Sequence, residues 1–363
     1  MEEKDKKNKP EILSWFEKEN PYNDVVLSTR VRVTRNLADF PFVIKMTDED
    51  KDRVKSLVYD CFSQRDDYSF INYDDLSDSG MDLLKDKNII SNRKCSAVVI
   101  GADESLSLLV NESDHVKIAS FTSGLDCEKA MEKAYKLDEE LQTKLQFAAS
   151  FDFGYLTSRI KDCGSGMKTT LRIFIPSIVL SGQLKMVQEL LKETRFCVKP
   201  VFAVESEGHF SNCLFDIFPG NAIEGTEIDQ MATIQSIGMQ ILKTERKIRK
   251  EFADNNPTIV SNFFKQNFAK AMYSMLLDYE EAVSIISAVK WGLGLGLING
   301  ISDSELNALY YRTKLGHLKY LCNNFDFTFE DDIKNSIKLK VKRLRAIVIQ
   351  QAFEGIVNEQ PIS

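Results

Sequence analysis

Leu27-Ser28-Thr29-Arg30-Val31-Arg32-Val33-Thr34-Arg35-Asn36 is the stretch whose reading decides the fold. Its apolar residues alternate with polar ones, which is the pattern of a strand with one buried face. Leu27, Thr29, Val31 and Val33 then point one way, and Ser28, Arg30, Arg32 and Thr34 the other. Two neighbouring guanidiniums repel each other, and an anion with several oxygens relieves that repulsion through forked hydrogen bonds. Phosphate is the obvious candidate. The competing reading is a solvated surface strand that carries two arginines without a ligand.

Working outward, the chain has 363 residues, enough for two domains or one large domain with a helical extension. A hydrophobic fraction of 43% with 28% charged residues is that of a soluble globular protein. The net charge of -7 argues against a general nucleic-acid binder. No apolar run follows the charged start Met1-Glu2-Glu3-Lys4-Asp5-Lys6-Lys7, and none elsewhere is long enough to span a membrane, so the expectation is a cytoplasmic protein. Seven scattered cysteines and three histidines give no metal-binding or redox spacing, and reduced thiols are expected.

Residues 1–20 read as a polar tail, with a short amphipathic piece at Ile12, Leu13, Trp15 and Phe16. Residues 47–62 read as a helix with Thr47 as its N-cap and Asp48, Glu49 and Asp50 in its first turn. From 64 to 92 little periodicity is visible. Residues 97–101 and 105–110 form a hairpin that 116–121 continues, 125–145 is an amphipathic helix, and 171–175 is a strand closed by Pro176. A helix over 178–194, a strand over 198–204 and a charged helix over 228–252 follow. Beyond Pro257 strand signals disappear. The predicted class is α+β: an antiparallel sheet flanked by helices over 21–255, then an all-α part over 256–363.

Three further segments carry chemistry. Asn111-Glu112-Ser113-Asp114-His115 gathers polar groups where a meander should continue, as a site or as an acidic turn. Gly164-Ser165-Gly166-Met167-Lys168 opens a strand on which Lys168, Thr170 and Arg172 share a face, a second cationic edge suited to phosphates. Lys199 leads another strand, before the acidic loop Glu205-Ser206-Glu207-Gly208-His209. The glycines at 292, 294 and 296 lie in a helical region without a βαβ unit and are not a dinucleotide fingerprint. The basic helix over 333–349 reads as bundle packing with a solvated face, or as a partner surface.

In this order the segments resemble the ATP:guanido phosphotransferase (phosphagen kinase) family, in its bacterial protein-arginine kinase (McsB-type) branch. The motifs that carry the likeness are 28–32 with Arg35-Asn36, 111–115, Phe153-Gly154-Tyr155-Leu156-Thr157, 164–166, Ile175-Pro176 and the 292–300 glycine run. The resemblance implies a catalytic domain that holds ATP with Mg2+ on an eight-stranded antiparallel sheet, followed by a helical dimerisation domain. It places the nucleotide at Ser28, Thr29, Arg30, Val31, Arg32, Asn88, Lys117, Lys168, Thr169, Thr170, Leu171, Arg172 and Lys199.

The same comparison exposes departures. Of the family's five phosphate-clamping arginines, Arg30 and Arg32 remain, while Lys117, Lys168 and Lys199 take the other places. Lysine keeps the charge but loses the planar fork. Ser113 stands where the family has its proposed catalytic base, and Arg159 where it has a reactive cysteine; Cys163 lies four positions further on. Glu112 and Glu205 are the acids left as candidate catalytic residues. The family's phosphoarginine-reading arginine is replaced within Asp331-Asp332-Ile333-Lys334. Two expectations follow. One is a kinase-like homologue with impaired or absent catalysis, a pseudokinase or regulatory scaffold in protein quality control. The other is an active protein-arginine kinase with a remodelled site. The partners implied are protein substrates or stress-response regulators, a zinc-containing activator, a Clp-type unfoldase and a second copy of the chain.

Overall fold

The structure is a computed structural model that describes residues 13–202, 213–220 and 226–358. In chain order its elements are β1 (Val26–Arg35), α1 (Asp48–Phe62), β2 (Tyr68–Asn72), α2 (Asp78–Asp86), β3 (Ala97–Gly101), β4 (Leu106–Val110) and β5 (Val116–Ser123). There follow α3 (Cys127–Gln142), β6 (Ala149–Ser150), β7 (Gly154–Tyr155), β8 (Met167–Phe174), α4 (Pro176–Leu180), α5 (Leu184–Lys192), β9 (Phe196–Pro200) and β10 (Leu214–Pro219). The remainder is α6 (Glu227–Asn255), α7 (Pro257–Tyr273), α8 (Tyr279–Gly294), β11 (Ile298–Asn299), α9 (Asp303–Arg312), α10 (Leu315–Asn324), α11 (Ile337–Phe353) and β12 (Val357–Asn358).

Eight strands form one antiparallel sheet in the order β2-β3-β4-β5-β1-β8-β10-β9. The arginine strand β1 is therefore interior, pairing with β5 on one side and β8 on the other. From Thr29 onward its alternation is as the sequence predicts, with Thr29, Val31 and Val33 fully buried against helices on one face; Leu27, expected with them, packs instead in the second core, where the pairing with β8 shifts register between Val26 and Ser28. Ala130, Ala134 and Leu137 of α3 and Ile234, Ile237 and Ile241 of α6 complete that core. Each valine so buried contributes roughly 1.5–3 kcal/mol. Arg35 shares this face by the same period, and there it is neutralised. Its guanidinium meets Asp138 of α3 at 2.7 Å, donates to the Ser165 carbonyl at 2.8 Å and lies over the Tyr155 ring at 3.5 Å.

The opposite face carries Arg30 and Arg32, and the later helices cover part of it. A second core joins α7, α8, α9 and α11 to Leu27, Phe174 and Leu214 at one end of the sheet. Trp15 and Phe16 pack with Phe121 of β5 and Tyr311 of α9. Among the described residues no helix is long and apolar enough to cross a membrane.

Several expectations need correcting. The region 64–92, read as nearly featureless, supplies edge strand β2 and helix α2. Helix α2 is short and acid-rich, and docking on α10 holds it: Asp82 binds Lys319 at 2.9 Å and Asp86 accepts from the Gly316 N–H at 2.6 Å. The helices approach so closely at Gly316 that a Cβ there would lie 2.3 Å from the Asp82 carbonyl carbon. The single helix expected over 178–194 divides into α4 and α5 at Gly182, whose φ of +71° suits glycine. The strand expected over 198–204 runs instead from Phe196 to Pro200, and residues 203–204 lie outside the described residues. The basic helix begins at Ile337 rather than 333, and the C-terminal part is not wholly helical, since β11 pairs with β12. Thr47 does cap α1, its hydroxyl accepting from the Asp50 N–H at 3.1 Å.

Candidate phosphate-binding cleft

Cross-strand register assembles the site. On the open face Ser28 of β1 is paired with Arg172 of β8, Arg172 with Asp216 of β10, and Asp216 with Lys199 of β9. One row across four strands thus carries a hydroxyl, a guanidinium, a carboxylate and an ammonium. Two residues along β1, Arg30 faces Thr170 and Phe121; two further on, Arg32 faces Lys168, and Thr34 faces Lys117. Ser28, Arg30, Arg32, Asn88, Thr170, Arg172 and Lys199 line a common cavity of about 240 Å³. Arg30, Arg32 and Asn88 also line a neighbouring one of about 350 Å³ with Glu112 and Lys117. The side chains of Thr29, Val31, Thr169 and Leu171 point to the buried face, so these four of the expected nucleotide positions do not line the cleft.

The basic groups of this face are not equivalent. Lys117 is held by Glu112, Lys168 meets Asp162 at 2.6 Å, and Arg172 forms a two-pronged pair with Asp216 at 2.9 and 3.1 Å. Lys199 lies over the Phe218 ring at 5.1 Å. Arg30 and Arg32 pair with no carboxylate among the described residues, and the Nε of each is buried without a hydrogen-bond acceptor. Burial, then the neighbouring charges of Arg32 and Arg172, pull Arg30 down to about 9. Burial likewise lowers Arg32, against the opposing pull of Asp162 and Glu112. A buried cation without a partner is costly, and an anion with donors' complements on two sides removes the cost. Arg35, further along the same strand on the other face, has its acid; these two lack one among the described residues.

The turn at 111–115 is a knot rather than an open site. Asp114 accepts from the Asn36 amide at 2.8 Å and from the Ser158 N–H at 2.7 Å. His115 N–H donates to Asn36 at 2.9 Å, and its Nδ1 accepts from the Leu37 N–H at 2.9 Å. Ser113 donates its hydroxyl to Asp114 at 3.0 Å. Glu112 accepts from Lys117, from Ser91 at 2.7 Å and from the Ser113 N–H at 3.1 Å. Burial alone would raise its pKa, but these donors, Lys117 foremost, hold it down at about 2. Such a carboxylate is a poor proton acceptor. Arg159 is solvent-exposed, and the thiol of Cys163 contacts Thr157, accepting from its N–H at 3.4 Å. Glu205 lies outside the described residues.

The cleft's acids Glu112, Asp162 and Asp216 are each committed to a cation, and the described residues contain no cluster of three metal-ligating side chains. They do not fit a protein-held Mg2+ ion. Sequence reading missed Asp162 and Asp216 as partners within the clamp, and Tyr311, which reaches the same cavity from α9. Asp216 did leave a signal, as the lone acid in the apolar strand Leu214-Phe215-Asp216-Ile217-Phe218.

An antiparallel eight-stranded sheet with helices behind it and a cationic cleft in front is the guanidino-kinase fold. The chain belongs to the ATP:guanido phosphotransferase family, in its protein-arginine kinase branch: the model of that family's C-terminal catalytic domain matches residues 44–248. The chain is 27% identical to the protein-arginine kinase of Halothermothrix orenii over 91% of its own length and 96% of the relative's. It is 26% identical to that of Brevibacillus brevis over 93% and 97%. Among solved structures, the substrate-free duplicated taurocyamine kinase from Schistosoma mansoni superposes with a TM-score of 0.56 at 16% identity, over 68% of this chain and 38% of that one. Lombricine kinase gives 0.55 at 10% identity, over 66% and 70%.

Proposed function

We propose that this protein is a kinase-like nucleotide binder of the protein-arginine kinase branch whose phosphoryl transfer is strongly impaired, and which acts as a regulatory scaffold in protein quality control. The observation that carries the reading is the contrast within one cleft. Arg30 and Arg32 are half-buried cations without an acid partner among the described residues, while Ser113 and Glu112, the described groups that would move a proton, are tied up. Phosphoryl transfer relies on positioning and on stabilising the transferring group. Arg30 and Arg32 would hold the β- and γ-phosphates of ATP; Mg2+ would arrive on the phosphates, as it commonly does. Among the described residues the cleft offers no free base for the guanidinium proton. Ser113 offers a hydroxyl already donated to Asp114, and Glu112 a carboxylate held by Lys117. Loss of a general base costs about 10²–10⁴ in rate, and loss of a charge-stabilising donor about 10²–10³.

In this reading residues 256–363 mediate self-association, a homodimer is the working form, and protein partners such as stress-response regulators, a zinc-containing activator or a Clp-type unfoldase are engaged in the cytoplasm. A second reading, an active protein-arginine kinase that passes the ATP γ-phosphate to arginine side chains through Glu112 and Glu205, is favoured by the name its relatives share. Incubation with MgATP and an arginine-rich protein, followed by phosphoarginine detection under non-acidic conditions, separates the two. Background signal with measurable ATP binding supports the scaffold reading; clear turnover supports the kinase.

A further inference from the structure

A cavity of about 560 Å³ lies between the first turns of α3 and α6, on the opposite side of the sheet from Arg30 and Arg32. Helix α3 presents Glu128, Met131, Glu132 and Tyr135 to it, and α6 presents Ile228, Met231, Ala232 and Gln235. Both sets follow the i, i+3, i+4, i+7 spacing of a single helical face. Two matching stripes therefore face each other without filling the space between them. Leu125, Cys127 and Met231 line it as buried apolar groups. The more exposed lining is acidic: Asp126, Glu128 and Glu132 contribute, and no lysine, arginine or histidine does. The neighbouring Lys133 turns away to Ser105 at 2.7 Å and Asp103 at 3.8 Å. Glu128, in the first turn of α3, is favoured by the positive helix end whatever the cavity holds. Glu132 lies a turn further on, where that attraction has faded. Burial, then the nearby charge of Glu227, push the pKa of Tyr135 up, yet its buried hydroxyl completes no hydrogen bond. Buried polar atoms are seldom left so.

We propose that the α3–α6 cavity binds a small organic cation, its apolar body between the two methionines and its ammonium-type head among Glu128, Glu132 and the Tyr135 oxygen. The volume falls within the range of about 300–1,000 Å³ usual for small-molecule sites. Methionine walls adapt to the shape of an apolar guest. The choice of charge follows from the lining. Carboxylates and a phenol oxygen accept hydrogen bonds, and a cationic head supplies the donors that none of the lining side chains brings as a charge. An anion would meet three acids and no base, and a neutral apolar guest would leave both the acids and Tyr135 unpaired. The site is also held in shape before any ligand arrives. The Thr29 hydroxyl donates to the Gly124 carbonyl at 2.8 Å and accepts from the Asp126 N–H at 3.2 Å, which fixes the turn carrying Leu125 into α3. Preorganisation of this kind spares the ordering cost of binding. Strand β1 thus carries the phosphate clamp on one face and anchors this turn from the other.

The test titrates the full chain with n-octylammonium, with n-octanoate and methylammonium as controls. The readout is the methyl resonances of Met131 and Met231, which line this cavity and not the cleft. Octylammonium should shift both and saturate below about 10 mM, octanoate should bind at least about tenfold more weakly, and methylammonium should leave them unmoved. Glu128→Gln combined with Glu132→Gln, both at exposed positions, should bring octylammonium and octanoate within about threefold of each other. Ala232→Trp, also at an exposed position, fills the cavity and should weaken octylammonium at least about tenfold. Equal binding of the two octyl probes by the wild type, which needs no variant to fold, overturns the assignment, and so does failure of octylammonium to saturate. A folded Ala232→Trp that binds octylammonium as the wild type does also overturns it.

Discussion

Replacing Arg30 with methionine should make the empty protein more stable and the ligand weaker, and both effects follow from the same unpaired charge. In the free cleft Arg30 is half-buried beside Arg32 and Arg172, its Nε is buried without an acceptor, and its guanidinium lies 5.1 Å from the Phe121 ring. Methionine keeps the stem and its apolar contact but removes the charge. Exchanging buried ionic groups for well-packed apolar ones of similar volume stabilises proteins by about 1–4 kcal/mol. A lone cation under mutual repulsion belongs in that range, and about 1–3 kcal/mol is expected, a rise of about 1–4 °C in melting temperature for a chain of this size. In the complex the sign reverses. A charge-assisted hydrogen bond is worth about 1.5–3 kcal/mol, so loss of one fork should weaken ATP by about 10–100-fold. Thermal unfolding with and without ATP, alongside calorimetric titration, reads both numbers. A variant that is less stable when empty and binds ATP as the wild type does would refute the reasoning, because Arg30 would then be a structural residue already satisfied.

The other predictions concern the groups around the clamp. Glu112→Gln should cost about 1–3 kcal/mol at pH 7, because its folded pKa near 2 lies below the unfolded value. That contribution is complete above about pH 4.5 and is lost as pH falls towards 2, so denaturant midpoints of wild type and variant should differ at pH 7 and converge in acid; a constant gap would show that the Lys117 contact is not the cause. Asp216→Asn releases Arg172 and should tighten tripolyphosphate binding by about threefold to tenfold, read by titration, whereas weaker binding would mean that the pair orients Arg172 for the ligand. Ser113→Glu should leave phosphoarginine formation at background, since the clamp lysines and the missing cysteine remain; a gain of more than about 100-fold would show that the acid alone was wanting. Gly316→Ala forces a Cβ into the Asp82 backbone and should cost about 1–3 kcal/mol in thermal unfolding, and an unchanged transition would contradict the tight α2–α10 contact.

The core of the fold was readable because β1 alternates from Thr29 to Arg35, and because α1 and α3 carry their caps and apolar stripes in the chain. What escaped was structure held by distant partners. Helix α2 is short, buries Leu84 against β3 and β4, and docks on α10, some 230 residues away in sequence for the Asp86–Gly316 contact. Strand β10 holds an acid in its middle, which lowers its appeal as a strand until Arg172 is placed beside it. In the cleft, periodicity put Arg30, Arg32, Lys168 and Arg172 on one face, yet it could not tell a paired cation from an unpaired one. That distinction depends on Asp162, Asp216 and Glu112, which reach the face from a loop, another strand and a turn. Nor could it reveal that Tyr311 closes the same cavity.

We propose that this cleft retains a phosphate clamp while its described acids, Glu112 above all, are unfit to accept the guanidinium proton. The most direct test is the yield of phosphoarginine per mole of protein after prolonged incubation with saturating MgATP and an arginine-rich protein. The account predicts a yield no higher than that of an Arg30→Met, Arg32→Met control; multiple turnovers above that control would contradict it.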